Sequence, residues 1–389
     1  MAVPVVAPEL RAARAGVFGI FALNGFMLAM WVVHIPVISE RAGVSKATLG
    51  LLILVLAGGA LIGMQLAGPL ADRFGSRTMV TAAAVALCVT VLGPGFAHNA
   101  VALGIALIVF GFANGALDVS MNAQAVHVEQ QYSRPILAAF HALFSCGGLA
   151  GSLVGAATLA MGWDVRLTLA VAAATGLVVT AACVTRMLPH VPHPPTHAAK
   201  PSRQRSRTVI ALGLIAFALL MSEGTALDWS ALQVKEHLDT SDAAAALAFG
   251  AFSVMMTLGR FGADRVSAAI GPVRVVRYGT LIAAAGIAVV IFSDWPLLTL
   301  AGWALFGLGL SGGIPQIFTA AGNLSGGSPS TNMSRVFGMG YVGLLAGPAV
   351  IGWLTKLISL NSALVVPLVA VLLASVFAGV VSPRSPTDH

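Results

Sequence analysis

Residues 111–151 read GFANGALDVSMNAQAVHVEQQYSRPILAAFHALFSCGGLAG, and this stretch decides how the chain can fold. Two apolar runs flank a short polar turn, and each run contains an ionisable residue, Asp118 in the first and His141 in the second. Apolar runs of this length predict membrane-spanning helices. A charged side chain inside the bilayer is costly, so it is a functional-site hypothesis by default. Asp118 and His141 are therefore the first residues to examine for function.

The composition excludes a water-soluble protein of this length. Of the 389 residues, 58% are hydrophobic and 9% are charged, whereas a soluble domain carries roughly 25% charged residues. Twelve apolar runs follow one another along the chain, and each is long enough to cross a hydrocarbon core of about 30 Å. A transmembrane β-barrel would instead need strands of about ten residues that alternate apolar and polar. We therefore expect an all-α polytopic membrane protein with twelve transmembrane helices.

The basic residues predict how the chain is oriented in the lipid bilayer. The formal net charge is +7, and in a soluble protein such an excess can indicate nucleic-acid binding. Here most Lys and Arg residues fall in loops on the side that carries the N-terminus, which the positive-inside rule assigns to the cytoplasm. We expect a multi-pass protein of a bacterial-type plasma (inner) membrane, with both termini cytoplasmic and no nucleic-acid partner.

A Pro-rich, basic segment at 189–207 divides the chain into two halves of six runs, 1–188 and 208–389. The segment lacks apolar periodicity, which is typical of a linker without a packed core. The halves repeat, because GPLADRFGSR at 68–77 is followed about 192 residues later by RFGADR at 260–265. Duplication of a six-span unit is typical of transporters whose halves rock around a central site. We therefore expect two pseudo-symmetric six-helix bundles.

The turn between the second and third runs carries the pattern G-x-x-x-D-R-x-G-x-R, at Gly68, Asp72, Arg73, Gly75 and Arg77. From its position, the carboxylate of Asp72 can cap a neighbouring helix N-terminus or pair with Arg73 or Arg77. This pattern resembles the signature of the major facilitator superfamily, and with twelve spans and a central linker the resemblance covers nearly the whole chain. It implies alternating access between two six-helix bundles and a gating role for the motif.

The second half carries a weaker copy of this gating loop, at Arg260, Asp264 and Arg265. It follows the second span of its half, as the first copy does. The resemblance implies that this copy is the weaker twin of the first latch.

Within that superfamily the chain is similar to the fucose-permease-like branch. That branch carries an acid followed four residues later by Asn in the fourth span, and a Phe followed by Asn in the fifth. Here Asp118 and Asn122 occupy the first pair of places, and Phe140 and His141 the second. Where the branch has another acid in the first span, this chain has His34. The resemblance therefore implies a polar solute but does not extend to fucose itself.

Asp118, His141 and Glu223 are the ionisable residues that we predict to couple transport to protons. A neighbouring cation and an apolar cavity shift the proton affinity of a carboxylate in opposite directions. A carboxylate that alternately meets His and substrate can therefore bind and release a proton. The alternative is a static buried pair that holds two helices together.

Polar side chains within the runs are expected to line a water-filled path to the substrate. For each of them the alternative is a hydrogen bond between helices, which is typically worth about 0.6 kcal/mol. Asp228, beside Trp229, also suits the interfacial belt of a membrane protein. The predicted substrate-cavity residues are Asn24, His34, Asn114, Asn122, Gln124, Asp228, Trp229, Gln316 and Tyr341.

The sequence carries no G-x-x-x-x-G-K-[ST] loop, so ATP is not expected to be the energy source. Nothing in it resembles a nucleophile triad or a zinc motif, and we expect no enzyme activity, no cofactor and no metal. The prediction is a monomeric, proton-coupled secondary transporter of a small-molecule substrate, with import of a sugar-like or similar polar solute favoured over export. Efflux of a drug or metabolite by proton antiport is the alternative, and a non-transporting substrate sensor with this fold is an alternative of another class.

Overall fold

The computed structural model describes residues 7–189, 203–324 and 329–382, so most of the predicted linker 189–207 lies outside the described residues. Within these ranges, twelve helices are long and apolar enough to cross a membrane, as the sequence predicts. They are α1 Pro8–Arg41, α2 Thr48–Phe74, α3 Ser76–Phe96, α4 Ala100–Glu129, α5 Leu137–Ala160, α6 Val165–Val184, α7 Ser206–Leu238, α8 Ala244–Ile270, α9 Pro272–Phe292, α10 Pro296–Gly322, α11 Pro329–Leu354 and α12 Leu360–Val381.

The outer surfaces of these helices carry apolar side chains that require lipid around them. Val101 is 72% exposed and Phe292 is 81% exposed, and many other Leu, Ile and Val residues are exposed along the same helices. Soluble proteins rarely expose large continuous apolar patches. Helices satisfy their own backbone hydrogen bonds and can therefore stand in hydrocarbon. The chain is a multi-pass membrane protein.

Local sequence signals explain where the helices begin and end. Gly75 separates α2 from α3 with φ of +89°, and Gly271 separates α8 from α9 with φ of +83°; a residue without Cβ adopts this region at no steric cost. At other helix starts, a side-chain oxygen accepts a hydrogen bond from a backbone amide of the first turn. This cap is seen at Ser45, Asn99, Asp164, Ser241 and Ser359.

The packing divides the helices into two compact units. The first consists of the described residues of Met1–Ser133, Leu143–Ala198 and Ser328–Ser334. The second consists of the described residues of Arg134–Ala142, Ala199–Gly327 and Arg335–His389. Each unit follows one half of the sequence and takes one short segment from the other half. The start of α11 belongs to the first unit, and the start of α5 belongs to the second.

Four helix pairings recur in the two units. In the first unit α4 packs against α2 and α3, and α6 packs against α1 and α3. In the second unit α10 packs against α8 and α9, and α12 packs against α7 and α9. Phe252, Trp303 and Phe306 are fully buried in the second unit, with ring centroids 5.9 Å apart in both neighbouring pairs. Repeated pairing is what duplication of a six-helix unit produces.

Small residues allow α2 and α4 to approach closely. A Cβ atom placed on Gly59 would overlap the main-chain oxygen of Ile108, and one placed on Gly115 would overlap that of Ala60. Small residues at helix interfaces are a principal means of packing in membranes, where burial of apolar surface does not drive association.

A single methyl group added at this interface tests the contact. We expect Gly59→Ala to destabilise the protein by about 1–3 kcal/mol, because the backbone of α4 leaves no room for the methyl. The adjacent Gly58 is the matched control. No other atom of the described chain lies within 4 Å of the Cβ position there, and Ala is the better helix former, so Gly58→Ala keeps or raises the melting temperature in detergent. Equal melting temperatures for the two variants would contradict close packing at Gly59.

Candidate functional site

In the first unit, polar side chains of α1 and α4 are buried within the apolar helices. Asn24 and His34 on α1, and Asn114 and Asn122 on α4, are each at most 8% exposed. The side-chain amide of Asn24 contacts Sδ of Met121 at 3.7 Å, which joins α1 to α4. All four were predicted as substrate-cavity residues, and the structure places them in one unit.

Asp118 lies one helical turn before Asn122 on α4. Nδ2 of Asn122 donates to the main-chain oxygen of Asp118 at 2.9 Å and to its Oδ1 at 3.3 Å. The contact to the carboxylate is thus made by a neutral amide of the same helix. A carboxylate held this way at bilayer depth can take up a proton without breaking an ion pair with that neighbour.

Among the buried side-chain amides and imidazoles of α1 and α4, four polar atoms have no hydrogen-bond partner among the described residues. They are Oδ1 of Asn24, Asn114 and Asn122, and Nε2 of His34. Nδ1 of His34 lies 2.7 Å from the main-chain oxygen of Met30, and when Nδ1 donates there, Nε2 is left as an acceptor. Buried polar atoms in proteins are almost always paired. These four atoms are therefore candidates to bind a polar ligand.

In the second unit, Glu223 on α7 and Arg260 on α8 form an ion pair. Nη2 of Arg260 donates to Oε1 of Glu223 at 3.2 Å, and the two side chains remain 14% and 17% exposed for Arg260 and Glu223 respectively. The structure places Arg260 inside α8, ten residues before its end, although the sequence assigned it to the gating loop. Two opposite charges inside the spans neutralise each other and lower the cost of their burial.

His141 belongs to the same unit, at the start of α5. Its ring centroid lies 6.0 Å from that of Phe318, whose ring stacks on Phe337 at 3.6 Å. Arg260 also interacts electrostatically with His141. Asp118 belongs to the first unit, so the two ionisable residues that the sequence paired are assigned to different units.

Three further predicted cavity residues lie on α7 and α11. Nε1 of Trp229 donates to the main-chain oxygen of Pro348 at 3.2 Å and so joins the two helices. Asp228 is exposed, and Tyr341 is partly buried. The roles of Asp228, Trp229 and Tyr341 in binding substrate stay predictions.

Asp72 caps the start of α11. Its Oδ1 accepts from the amide of Ser330 at 3.0 Å, and its Oδ2 accepts from the amide of Thr331 at 2.9 Å and from the hydroxyl of Thr331 at 2.7 Å. The first amides of a helix have no partner within it and carry partial positive charge. A carboxylate satisfies both needs, which matches the capping role predicted for Asp72 from the sequence.

Asp264 makes the equivalent cap in the second unit. Its two oxygens accept from the amides of Ala138 and Ala139 at the start of α5, both at 2.9 Å. Asp264, Ala138 and Ala139 each lie 192 residues from their counterparts Asp72, Ser330 and Thr331. The repeat therefore preserves both the carboxylate and the two amides that it binds.

The other members of the first gating motif surround this cap. A Cβ on Gly68 would crowd the side chain of Ser334, whose main-chain oxygen accepts from Nε2 of Gln65 at 3.0 Å. The guanidinium of Arg73 lies 5.1 Å from the ring centroid of Phe74. Arg77 is partly buried, and in the second motif Arg265 is exposed. Gly75 supplies the turn with positive φ.

Gln124 and Gln316 are also 192 residues apart. Each joins two helices of its own unit by a hydrogen bond to a serine, a contact that we call a brace. The hydroxyl of Ser76 donates to Oε1 of Gln124, whose Nε2 donates to the main-chain oxygen of Leu188 at 3.2 Å. The hydroxyl of Ser267 donates to Oε1 of Gln316 at 2.8 Å. Both glutamines were predicted as substrate-cavity residues, and the structure gives each of them a serine on a neighbouring helix.

We expect the Ser267–Gln316 brace to be structural. Ser267→Ala and Gln316→Leu should each lower stability by about 1 kcal/mol, because each breaks the same buried hydrogen bond. The double variant should lose less than the sum of the two, since only one bond exists. Thermal unfolding of the four proteins completes the cycle. Additive losses would contradict the brace.

Sequence reasoning did not find the stacked pair Phe318 and Phe337, nor the amides of Ser330 and Thr331 that Asp72 binds. Stacking and capping partners come from different helices, and a single sequence does not say which helices are neighbours. For the changed position of Arg260 the sequence did contain a signal. Arg260 lies 192 residues after Gly68, so the second motif has an arginine where the first has a glycine.

Comparison with known proteins gives a consistent result. A family model described as the Major Facilitator Superfamily matches residues 17–231 and 212–389. An uncharacterized MFS-type transporter of Yersinia pestis is 33% identical over 343 residues, which cover 88% of this chain and 89% of the relative. The membrane protein MosC of Rhizobium meliloti is 31% identical over 344 residues, which cover 88% and 84%.

Solved structures with low sequence identity share the fold. The Escherichia coli fucose:proton symporter FucP superposes with a TM-score of 0.79 at 15% identity, covering 95% of this chain and 98% of FucP. The human organic anion transporter MFSD10 superposes with a TM-score of 0.76 at 16% identity, covering 96% and 100%. At such identities the likeness concerns the fold alone.

Proposed function

Because the chain belongs to the major facilitator superfamily, we propose that it is a secondary transporter that couples a small polar solute to protons by alternating access. The observation that carries the proposal is the buried polar surface of α1 and α4, where Asp118 accompanies four unpartnered polar atoms. An apolar membrane protein retains such costly groups where they serve a ligand or an ion.

In this proposal Asp118 and Glu223 carry protons, and His141 and Arg260 modulate them. Glu223 has a cation at 3.2 Å, whereas the amide of Asn122 contacts Asp118. The two acids thus stand in different electrostatic surroundings. To load a proton on one side and release it on the other, a transporter changes the surroundings of such an acid between its two states.

Import by proton symport is the direction that we favour. Two proteins with similar structures are the fucose:proton symporter FucP and the proton:xylose symporter XylE, which superposes with a TM-score of 0.75. The amides and the imidazole of the first unit suit the hydroxyl groups of a polar solute. Export of an amphipathic compound would use the same proton sites in the opposite sense.

The Lys and Arg distribution supports a bacterial inner membrane with both termini in the cytoplasm. We propose that the moving bodies are the halves 1–188 and 208–389, with 189–207 as their linker and a monomer as the working unit. The twin caps at Asp72 and Asp264 then lie on the cytoplasmic side. They are the contacts that break and re-form during the cycle.

Replacing Asp118 with Asn tests proton coupling. The substrate is first identified by thermal stabilisation of the purified protein against sugars, amino acids, nucleosides and drugs. We expect Asp118→Asn to abolish transport driven by a pH gradient and to spare solute exchange, because exchange needs no net proton movement. Uptake by proteoliposomes with and without the gradient measures both.

Unchanged driven transport in Asp118→Asn would contradict the role of Asp118. Binding without exchange in the wild-type protein would instead indicate a sensor. Efflux by antiport would appear as solute and protons crossing the membrane in opposite directions.

Replacing Asp72 with Asn tests the cap as a gate. Asn keeps an acceptor oxygen but loses the charge, and a charged hydrogen bond exceeds a neutral one by about 1 kcal/mol. We expect normal membrane insertion and transport slowed by about fivefold. Thr331→Val removes only the hydroxyl bond and should slow transport less. Wild-type rates for Asp72→Asn in proteoliposomes would remove this cap from the transport cycle.

A further inference from the structure

The ion pair of Glu223 and Arg260 lies at a place where the two halves of the repeat differ in chemistry. In the first half the position is Gly68, packed against Ser334 of the capped helix. In the second half, 192 residues later, the same position is Arg260, whose guanidinium reaches Glu223 on α7. The caps one turn further on, at Asp72 and Asp264, are preserved. Both halves therefore keep the cap, and the second half has a cation inside the spans where the first half has a glycine.

Structural need alone does not account for a cation at this point. The pair joins α7 to α8, which pack against each other in the second unit, whereas the equivalent α1 and α2 make no comparable contact among the described residues of the first unit. Apolar side chains could make the same contact. A guanidinium and a carboxylate within the spans together cost more than two apolar residues of similar size. The pair therefore calls for a use beyond packing.

The charges around Glu223 are few. Of the helices that pack against α7, α10 and α12 contain no Asp, Glu, His, Lys or Arg, and α11 contains only Arg335 near its start. From α8 the charged side chain that contacts Glu223 is Arg260, with Asp264 one turn beyond. His141, which interacts with Arg260, is the titratable group that α5 contributes.

The pair is not fully buried. The side chains of Arg260 and Glu223 keep 14% and 17% of their surface exposed, respectively. Gln316, in the same unit, is buried. The stacked rings of Phe318 and Phe337 lie in the same unit, and His141 is 6.0 Å from Phe318. The pair thus offers one cation and one carboxylate, and His141, which interacts with Arg260, also lies near the ring of Phe318.

We propose that Arg260 binds the carboxylate of an anionic solute, and that Glu223 gives up Arg260 to the solute by taking a proton. The inference deepens the proposed function and rests on it, since it names the substrate as a monocarboxylate anion. Arginine is the side chain best suited to a carboxylate, because its planar fork donates two parallel hydrogen bonds.

The exchange balances in charge and in hydrogen bonds. Without solute, the negative charge of Glu223 faces Arg260. When a proton binds Glu223, that carboxylate becomes a neutral carboxyl, and the anion of the solute replaces it as the partner of Arg260. The net charge near the pair is the same before and after. One anion therefore crosses with one proton, and their passage moves no net charge.

The position of Arg260 also links binding to the cap. Asp264 lies four residues further along α8, so the two side chains are on the same face of one helix. Asp264 holds the start of α5, and His141 follows Ala139 on that helix by two residues. A solute that draws Arg260 away from Glu223 therefore acts within one turn of the contact that fixes α5.

The test uses carboxylic acids paired with their own amides as probes of the purified full-length protein. The pairs are lactate with lactamide, gluconate with gluconamide, benzoate with benzamide, and nicotinate with nicotinamide. We expect at least one acid to raise the melting temperature, more strongly at mildly acidic than at neutral pH, and its amide to have no effect. Stabilisation by the amides equal to that by the acids, or by none of the acids, would overturn the proposal.

Variants assign the effect to the pair. Arg260→Gln should weaken binding of the acid by about tenfold or more, since it removes charged hydrogen bonds. Glu223→Gln should keep binding of the acid and lose its pH dependence. Arg274→Gln, an exposed arginine on α9, is the control and should bind as the wild type does.

Arg260→Gln leaves Glu223 without its cation and is at risk of misfolding, so the double variant Arg260→Gln with Glu223→Gln is the safeguard. It carries no charge at either position and should fold without binding the acid. Retained binding in the double variant would refute the role of Arg260. Counterflow in proteoliposomes separates the two proposals. Transport of a neutral solute without acid binding would support the transporter and contradict the anion site. Acid binding without counterflow would support the anion site and contradict the transporter.

Discussion

Hydrocarbon offers no hydrogen bonds, and this constraint decides where the polar groups of the chain lie. Many hydroxyl groups in the spans donate back to a carbonyl four residues earlier in their own helix. This pattern is seen at Ser120, Thr180, Ser222, Thr225 and Thr280. The polar groups that cannot be satisfied in this way are few, and they are the ones on which an account of function depends.

The remaining polar groups of the two units differ in their chemistry and in the role that we assign to them. In the first unit, Asn122 contacts Asp118, and buried amides and an imidazole of α1 and α4 keep unpartnered atoms. In the second, Glu223 and Arg260 neutralise each other and remain partly exposed. The caps and the glutamine braces recur at a spacing of 192 residues, so duplication preserved the parts that hold helices together. The groups that differ between the halves are those that we assign to protons and solute.

Much of the fold followed from composition. Twelve apolar runs, the repeat and the resemblance to the major facilitator superfamily are confirmed by the helices and by the family match. These features depend on hydropathy and on local motifs, which a single sequence displays directly. The cap at Asp72 was also foreseeable, because a carboxylate beside a turn has few uses other than a helix start.

The partners of polar residues were not foreseeable in the same way. Gln124 and Gln316 lie within apolar runs, as cavity residues do, and only the packing reveals the serines that they bind. Arg260 belonged to a loop motif in the sequence, and the length of α8 brings it into the spans beside Glu223. Partner choice depends on which helices are neighbours and on which faces meet, and these are properties of the tertiary structure.

The central claim is that carboxylates inside the spans carry protons together with the solute. The direct measurement is the pH inside proteoliposomes that contain a trapped pH-sensitive dye, after an inward gradient of the stabilising solute is imposed with no pH gradient and no membrane potential. The account predicts that the interior acidifies as the solute enters. Solute entry at an unchanged internal pH would contradict it.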